Sequence, residues 1–219
     1  MTKFYFDKDA ANKAIGFIEQ FITHTKGELS GKKLKLEDWQ KKIVGDIFGW
    51  KNKETELRKY RTVFILLGRK NGKSTLCAAI GLYMLFADEE RGSEVYSAAG
   101  DRQQAGIVFE IAKGMILQSP ELSQRGKVFR NSIVNESKGN FYQAISSDSK
   151  TKHGFNANCI IFDELHTQPN RDLWDTLTTS TGSSRQPLSI AITKAGYDKQ
   201  SMCYEFYSYA KKLNEGTLK

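Results

Sequence analysis

TVFILLGRKNGKST, residues 62–75, runs from a short apolar stretch rich in β-branched side chains into a loop with two glycines and two lysines. The apolar half reads as a strand buried on both faces. LCAAIGLYMLFA, residues 76–87, is too short to span a bilayer and predicts a buried helix that begins near Lys73 and runs to Ala87. A loop between a strand and a helix aims backbone N–H groups and the helix dipole at an anion. The usual phosphate-loop pattern is G-x-x-x-x-G-K-[ST]. Here Gly68 and Gly72 enclose only Arg69, Lys70 and Asn71, and Leu67 stands where the first glycine belongs. The loop is a deviant one, yet its residue types suit a triphosphate. Gly72 lets the backbone approach closely, Lys73 reaches the β- and γ-phosphates, and Ser74, followed by Thr75, can ligate Mg²⁺. Arg69 and Lys70 add positive charge where the phosphates would lie.

A phosphate loop that hydrolyses ATP needs a buried strand ending in an acid for Mg²⁺, beside a residue that orients the attacking water. CIIFDE, residues 159–164, supplies both: Asp163 for the metal and Glu164 for the water. The stretch between the two motifs leaves room for a further strand, EVYSAA at 94–99, the arrangement of RecA-like and helicase-like motors. SIAITKAG, residues 189–196, ends another strand. There Thr193, followed by Lys194, Ala195 and Gly196, can sense the γ-phosphate, although by itself the segment is only a glycine-terminated turn. In DWQKKI, residues 38–43, Gln40 can read the adenine edge by paired hydrogen bonds with Trp39 packed on the base; alone, a helix-surface glutamine is the simpler reading. A transition-state guanidinium is expected from Arg69 in the same subunit, with Arg102 and Arg130 as candidates for a second one delivered by a neighbour.

Outward from these motifs, strands alternate with helices. Residues 9–25 place Ala11, Ile15, Ile18 and Ile22 on one helical face, and residues 37–49 do the same with Trp39, Ile43, Ile47 and Phe48. Asp101 caps a helix striped by Ala105, Val108, Phe109, Ala112, Met115 and Ile116. KVFR, SIVNE and NFYQAIS, within 127–146, read as an antiparallel insertion or edge hairpin. NCIIFDE (158–164) and LSIAIT (188–193) read as strands, and residues 170–180 and 198–213 as helices. The prediction is an α/β fold: a three-layer P-loop NTPase of the RecA/helicase-like kind, its mostly parallel sheet between helices. Residues 1–219 form one ATPase domain, with a helical preface over 1–60 carrying the adenine-binding helix and the core over 61–219.

At 39% hydrophobic and 26% charged, the composition is ordinary for a soluble globular chain. Thirty-three Lys and Arg against 25 Asp and Glu leave a net +8, which fits a polyanionic partner. The lysine-rich GKKLKLED (31–38) and WKNKETELRKYR (50–61) interleave acids and read as solvated faces. Cys77, Cys159 and Cys203 are widely separated and read as small buried hydrophobes in a reducing compartment. MTKFYFDKDA lacks the apolar stretch of a signal peptide, so the expectation is a chain that is neither secreted nor membrane-spanning. His24 reads as a surface residue and His153 lies in a KTKHGFN loop; His166 follows the acid pair and can help position it.

Taken in order, WQ (39–40), GRKNGKST (68–75), SAAGDRQQA (97–105), DELH (163–166), RQPL (185–188) and ITKAG (192–196) resemble the motifs of one family. It is the N-terminal ATPase domain of tailed-bacteriophage terminase large subunits, and the resemblance runs from about residue 35 to the end of the chain. Lys194 departs from the threonine usual there, which bears on the fine geometry of coupling. The resemblance implies an ATP-hydrolysing motor, using ATP and Mg²⁺, that drives double-stranded DNA into a procapsid in the host cytoplasm. Its implied partners are double-stranded DNA, further copies of itself in a ring on the procapsid, the portal protein and the small terminase subunit, with no membrane. The family's nuclease domain has no counterpart in these 219 residues, so the chain is expected to correspond to the motor half. Two other readings stay open: a different helicase-like P-loop ATPase, and a DNA- or scaffold-binding module with an inactive ATP site. The first would need a second RecA-like domain for which 219 residues leave no room; intact Lys73, Ser74, Asp163 and Glu164 weigh against the second.

Overall fold

The computed structural model describes residues 2–68, 70–147, 154–168, 170–194 and 199–217. Strand β1 (Phe4–Phe6) is followed by helices α1 (Lys8–Phe21) and α2 (Asp38–Gly49), then by β2 (Trp50–Asn52), which pairs antiparallel with β1. Next come β3 (Thr62–Leu66), α3 (Lys73–Phe86), β4 (Glu94–Ala99), α4 (Arg102–Leu117) and the short α5 (Pro120–Ser123). Strands β5 (Lys127–Val128), β6 (Ser132–Asn135), β7 (Asn140–Ser146) and β8 (Ala157–Asp163) follow, then α6 (Asp172–Thr179), β9 (Leu188–Thr193) and α7 (Met202–Asn214).

Seven strands form one sheet in the order β3-β9-β8-β4-β7-β6-β5. The first five run parallel, and β6 and β5 are antiparallel to their neighbours. Side chains alternate between the two faces along each strand. Cys159 and Ile161 of β8 join a core with α1, α2, α3 and α4, whereas Ile160 and Phe162 join one with α6 and α7. The three layers predicted from the sequence are therefore present.

The order of the strands adds to the expectations about the sheet and corrects one of them. Strand β3 is covered on both faces as expected but lies at the edge of the sheet: it pairs with β9 and has no second partner among the described residues, and Thr62 and Leu66 are exposed. Its apolar character is used on the two faces, by Ile65 in the main core and by Phe64 against Phe206 of α7. The strand that lies between β3 and β8 in the sheet is β9, and β4 (94–99) sits on the far side of β8. NFYQAIS does not belong to an edge hairpin alone, because β7 pairs parallel with β4 and extends the main sheet.

The helices also refine the sequence reading. All six stripe residues of α4 are buried, and Asp101 caps it by accepting the Gln104 N–H at 2.9 Å. Helix α1 stops at Phe21, short of residue 25, because Ile22 turns extended and its carbonyl accepts from Leu34 N–H at 2.9 Å. The chain then makes a tight excursion through Gly27 and Gly31, whose φ of 73° and 82° are left-handed. On α2 the buried face is Gln40, Val44, Ile47 and Phe48, one position round from the predicted Trp39 and Ile43. Cys77, Cys159 and Cys203 are buried and free. No helix of the described residues is long and apolar enough to cross a membrane.

Candidate active site

The loops after β3, β8 and β9 meet at one edge of the sheet because these strands are parallel neighbours, with Leu66 opposite Thr193 and Asp163 opposite Ile192. Gly72 begins α3 with a left-handed φ of 69°, which glycine adopts without a Cβ penalty, and Lys70 holds a similar φ of 64°. Asn71 Nδ2 donates to the Gly68 carbonyl at 3.4 Å across the turn. No side chain caps α3, so its leading N–H groups are left for an anion. Arg69 lies outside the described residues.

Lys73 and Glu164 meet at this edge: Lys73 Nζ is 3.0 Å from Glu164 Oε1, and both side chains are largely buried. Glu164 itself has a left-handed backbone (φ 49°, ψ 54°), a conformation that costs a non-glycine residue on the order of 1–3 kcal/mol and often marks functional sites. The preceding Asp163 is 3% exposed. Its pKa rises from 3.8 to about 6, chiefly because burial disfavours the charge and secondarily because the Glu164 carboxylate is adjacent. The Glu164 N–H, the Lys73 ammonium and a hydrogen bond from Ser74 offset part of that. A buried carboxylate joined to a hydroxyl at a phosphate loop is a hard-oxygen donor set that fits Mg²⁺.

Behind the acids stands His166, in a single 3₁₀ turn. Its Nδ1 is 3.0 Å from Thr193 Oγ1 and 3.1 Å from Glu164 Oε2. Thr193 is fully buried at the end of β9, and Cys203 Sγ, at the start of α7, lies 3.7 Å from the same hydroxyl oxygen. Lys194 follows it, half-buried; Ala195 and Gly196 lie outside the described residues, as does His153.

Beside the loop a cleft of about 490 Å³ is lined by Gln40, Gly72 and Thr75 together with Leu29, Lys33 and Lys35. Trp39 does not line it and is 37% exposed, because α2 turns Gln40 inward instead. A paired contact from Gln40 to a base would need its Oε1, which accepts the Glu37 N–H at 2.9 Å in a capping box. One donor group, Nε2, remains, and it sits beside Gly72. The lysines of 31–38 are exposed as expected, but Lys32, Lys33 and Lys35 also line this cleft, and so does His24, which is half-buried rather than on the open surface. Sequence spacing carried no sign of this, since the excursion returns to α1 through backbone hydrogen bonds such as Gly31 N–H to the His24 carbonyl at 2.8 Å. In the other lysine-rich stretch, 50–61, Arg58 is buried and ion-paired rather than solvated. Arg102 and Arg130, both exposed, are brought to a separate cleft of about 460 Å³ between α4 and the β5–β7 ribbon. It follows β4, which β9 and β8 separate from β3.

A family model for the terminase large subunit ATPase domain matches residues 38–212. The chain is 31% identical over 196 residues to the terminase large subunit of Enterobacteria phage HK97, covering 85% of this chain and 37% of that one. It is 24% identical over 208 residues to the terminase large subunit of Lactococcus phage SK1, covering 92% and 38%. The crystal structure of the HK97 bacteriophage large terminase superposes with a TM-score of 0.79 at 25% identity, over 93% of this chain and 42% of that one. A mutant ATPase domain of the Thermus phage P74-26 large terminase shares the fold, with a TM-score of 0.59 at 18% identity over 93% and 75%. The chain spans well under half the length of the curated relatives it matches. A match that begins on the helix bearing Gln40 and reaches into the last helix takes in every motif described above, and by it the chain belongs to the terminase large subunit ATPase domain family.

Proposed function

We propose that this domain binds and hydrolyses ATP and, as part of a terminase large subunit, uses that energy to move double-stranded DNA into a procapsid. The observation that carries the reading is the Lys73–Glu164 contact at 3.0 Å, between a phosphate-loop lysine and an acid 91 positions away. The phosphates of ATP compete for Lys73; as the ammonium turns to them, Glu164 Oε1 becomes free to accept a proton from water. Gly72 and the leading N–H groups of α3 cradle the phosphates, with Gly68, Lys70, Asn71 and Thr75 completing the loop. Ser74 and Asp163 would hold Mg²⁺, which neutralises charge developing on the transferred phosphoryl group. Gln40 gives the base one donor, and the cleft it lines is the place for the nucleoside. Arg69 is assigned the guanidinium within the subunit and Arg102 or Arg130 one for a neighbour's site; Thr193 and the segment through Gly196 pass on loss of the γ-phosphate. The net charge of +8 supports sequence-blind contact with DNA phosphates. A ring of copies, the portal protein and the small subunit, in the host cytoplasm, complete the proposed assembly.

Two substitutions separate chemistry from binding. Glu164→Gln should keep nucleotide bound while turnover falls at least about 10²-fold, as when a positioned base is lost. Lys73→Ala should weaken binding itself by removing a charge-assisted contact to the phosphates. Fluorescent-nucleotide titration and phosphate release measure the two effects. Turnover near wild type in Glu164→Gln would overturn the assignment, and a wild-type chain with no turnover would favour an inactive binding module.

A further inference from the structure

Both neighbours of His166 Nδ1 can be read for hydrogen-bond polarity. The Lys194 carbonyl, 3.1 Å away, can take the single hydroxyl proton of Thr193, which leaves the oxygen to meet His166 with lone pairs. The His166 backbone N–H, 3.4 Å from that oxygen, addresses it as a donor too. Glu164 Oε2, 3.1 Å from Nδ1, only accepts when ionised, and no hydrogen bond among the described residues satisfies it although it is buried. With an acceptor on each side, the tautomer that suits this arrangement carries its hydrogen on Nδ1. Such a hydrogen has two acceptors within reach, Thr193 at 3.0 Å and Glu164 at 3.1 Å.

We propose that His166 is a positioning residue, whose Nδ1–H holds the Glu164 carboxylate and links its placement to Thr193 at the end of β9. The inference rests on the reading of Glu164 as the residue that orients water. Lys73 holds one oxygen of that carboxylate and His166 faces the other. When phosphates draw Lys73 away, His166 is the tether that remains, and its hydrogen shifts from Thr193 toward the more negative carboxylate. Thr193 then loses a donor at an oxygen that Cys203 of α7 also contacts. A change at the phosphates thereby reaches β9 and α7 through one shared hydrogen. His166 touches no nucleotide atom in this scheme, so it acts on turnover and not on affinity.

His166→Ala should lower kcat about 10- to 10²-fold, the loss that a misplaced reacting group brings, with nucleotide affinity unchanged to within about twofold. His166→Asn places an amide N–H near the position of Nδ1 and should recover most of the rate, which a purely packing role would not do. Nitrogen-15 spectra of the ring, assigned against the variant among only three histidines, should show Nδ1 protonated in the wild type. An unprotonated Nδ1, wild-type kcat in His166→Ala, or an equal loss in Ala and Asn would each overturn the proposal. Should the alanine variant fail to fold by circular dichroism, the wild-type spectrum and His166→Asn still decide. A wild-type chain that binds ATP without turning it over would defeat the functional reading instead, and the ring spectrum would judge the His166 geometry separately.

Discussion

At Asp163 two effects act together: burial and the neighbouring Glu164 carboxylate raise its pKa from 3.8 to about 6. The folded chain then binds a proton more tightly than the unfolded chain between those two values. Stability is therefore highest below pH 3.8 for this group and is lost as pH rises through about 6, by roughly 3 kcal/mol in all. Asn has nearly the same shape and no charge to bury. In metal-free buffer Asp163→Asn should exceed the wild type in stability at pH 7.5 by up to about 3 kcal/mol, with the gap closing toward pH 4.5. Urea unfolding at the two pH values measures this, and a gap that ignores pH would mean that the charge of Asp163 is not what the site strains against. Position 163 as a strand-end acid is legible in CIIFDE, since strand and turn are local. The strained backbone of Glu164 and the place of His166 are not, because contacts across the sheet create them.

Helix α2 shows the same division at the level of an element. Its extent, Asp38–Gly49, follows closely from the sequence, because caps and periodicity are properties of consecutive residues. Its orientation does not: a rotation by one position exchanges Trp39 for Gln40 at the cleft, and packing against α1 and α3 selects between them. Gln40 consequently has two roles, an Oε1 that caps the helix and an Nε2 beside Gly72. Gln40→Ala removes both and should lower stability by about 1 kcal/mol, the worth of a cap. Gln40→Glu keeps the cap acceptor and removes the donor, so it should weaken nucleotide binding with less loss of stability. Thermal unfolding with nucleotide titration distinguishes them. Equal destabilisation by Ala and Glu would show that the capping bond contributes nothing.

At the scale of the whole molecule, the end of the sheet away from Gly72 and Glu164 is tied by Arg58 and Asp88, 2.7 Å apart with side chains 4% and 5% exposed. Arg58 also bonds the Gln186 carbonyl and lies over the Phe48 ring, so one guanidinium joins α2, the end of α3 and the approach to β9. A buried pair is costly to break from one side, because the remaining charge has lost its partner. Arg58→Met should cost about 3–5 kcal/mol in urea unfolding, and adding Asp88→Leu should return much of it. Additive losses in the double variant would show that the pair is not coupled. Nucleotide affinity of the folded fraction should not change, as the pair lies at the opposite strand ends from the phosphate loop.

The sequence by itself determined the strand–loop–helix at 62–86, the acid-ended strand at 157–163 and the six-residue buried stripe of α4. Each is written in neighbouring residues or in a helical repeat, where steric and hydrogen-bonding preferences act over a few positions. Only the tertiary structure decided that β3 lies at an edge, that β9 separates it from β8, and that β7 runs parallel to β4. It also decided that Arg58 is buried and that the lysines near residue 33 wall the cleft beside Gln40 and Gly72. An apolar run records that a strand will be covered, but every strand has the same two-residue period. Which neighbours cover it depends on the best joint packing of segments far apart in the chain.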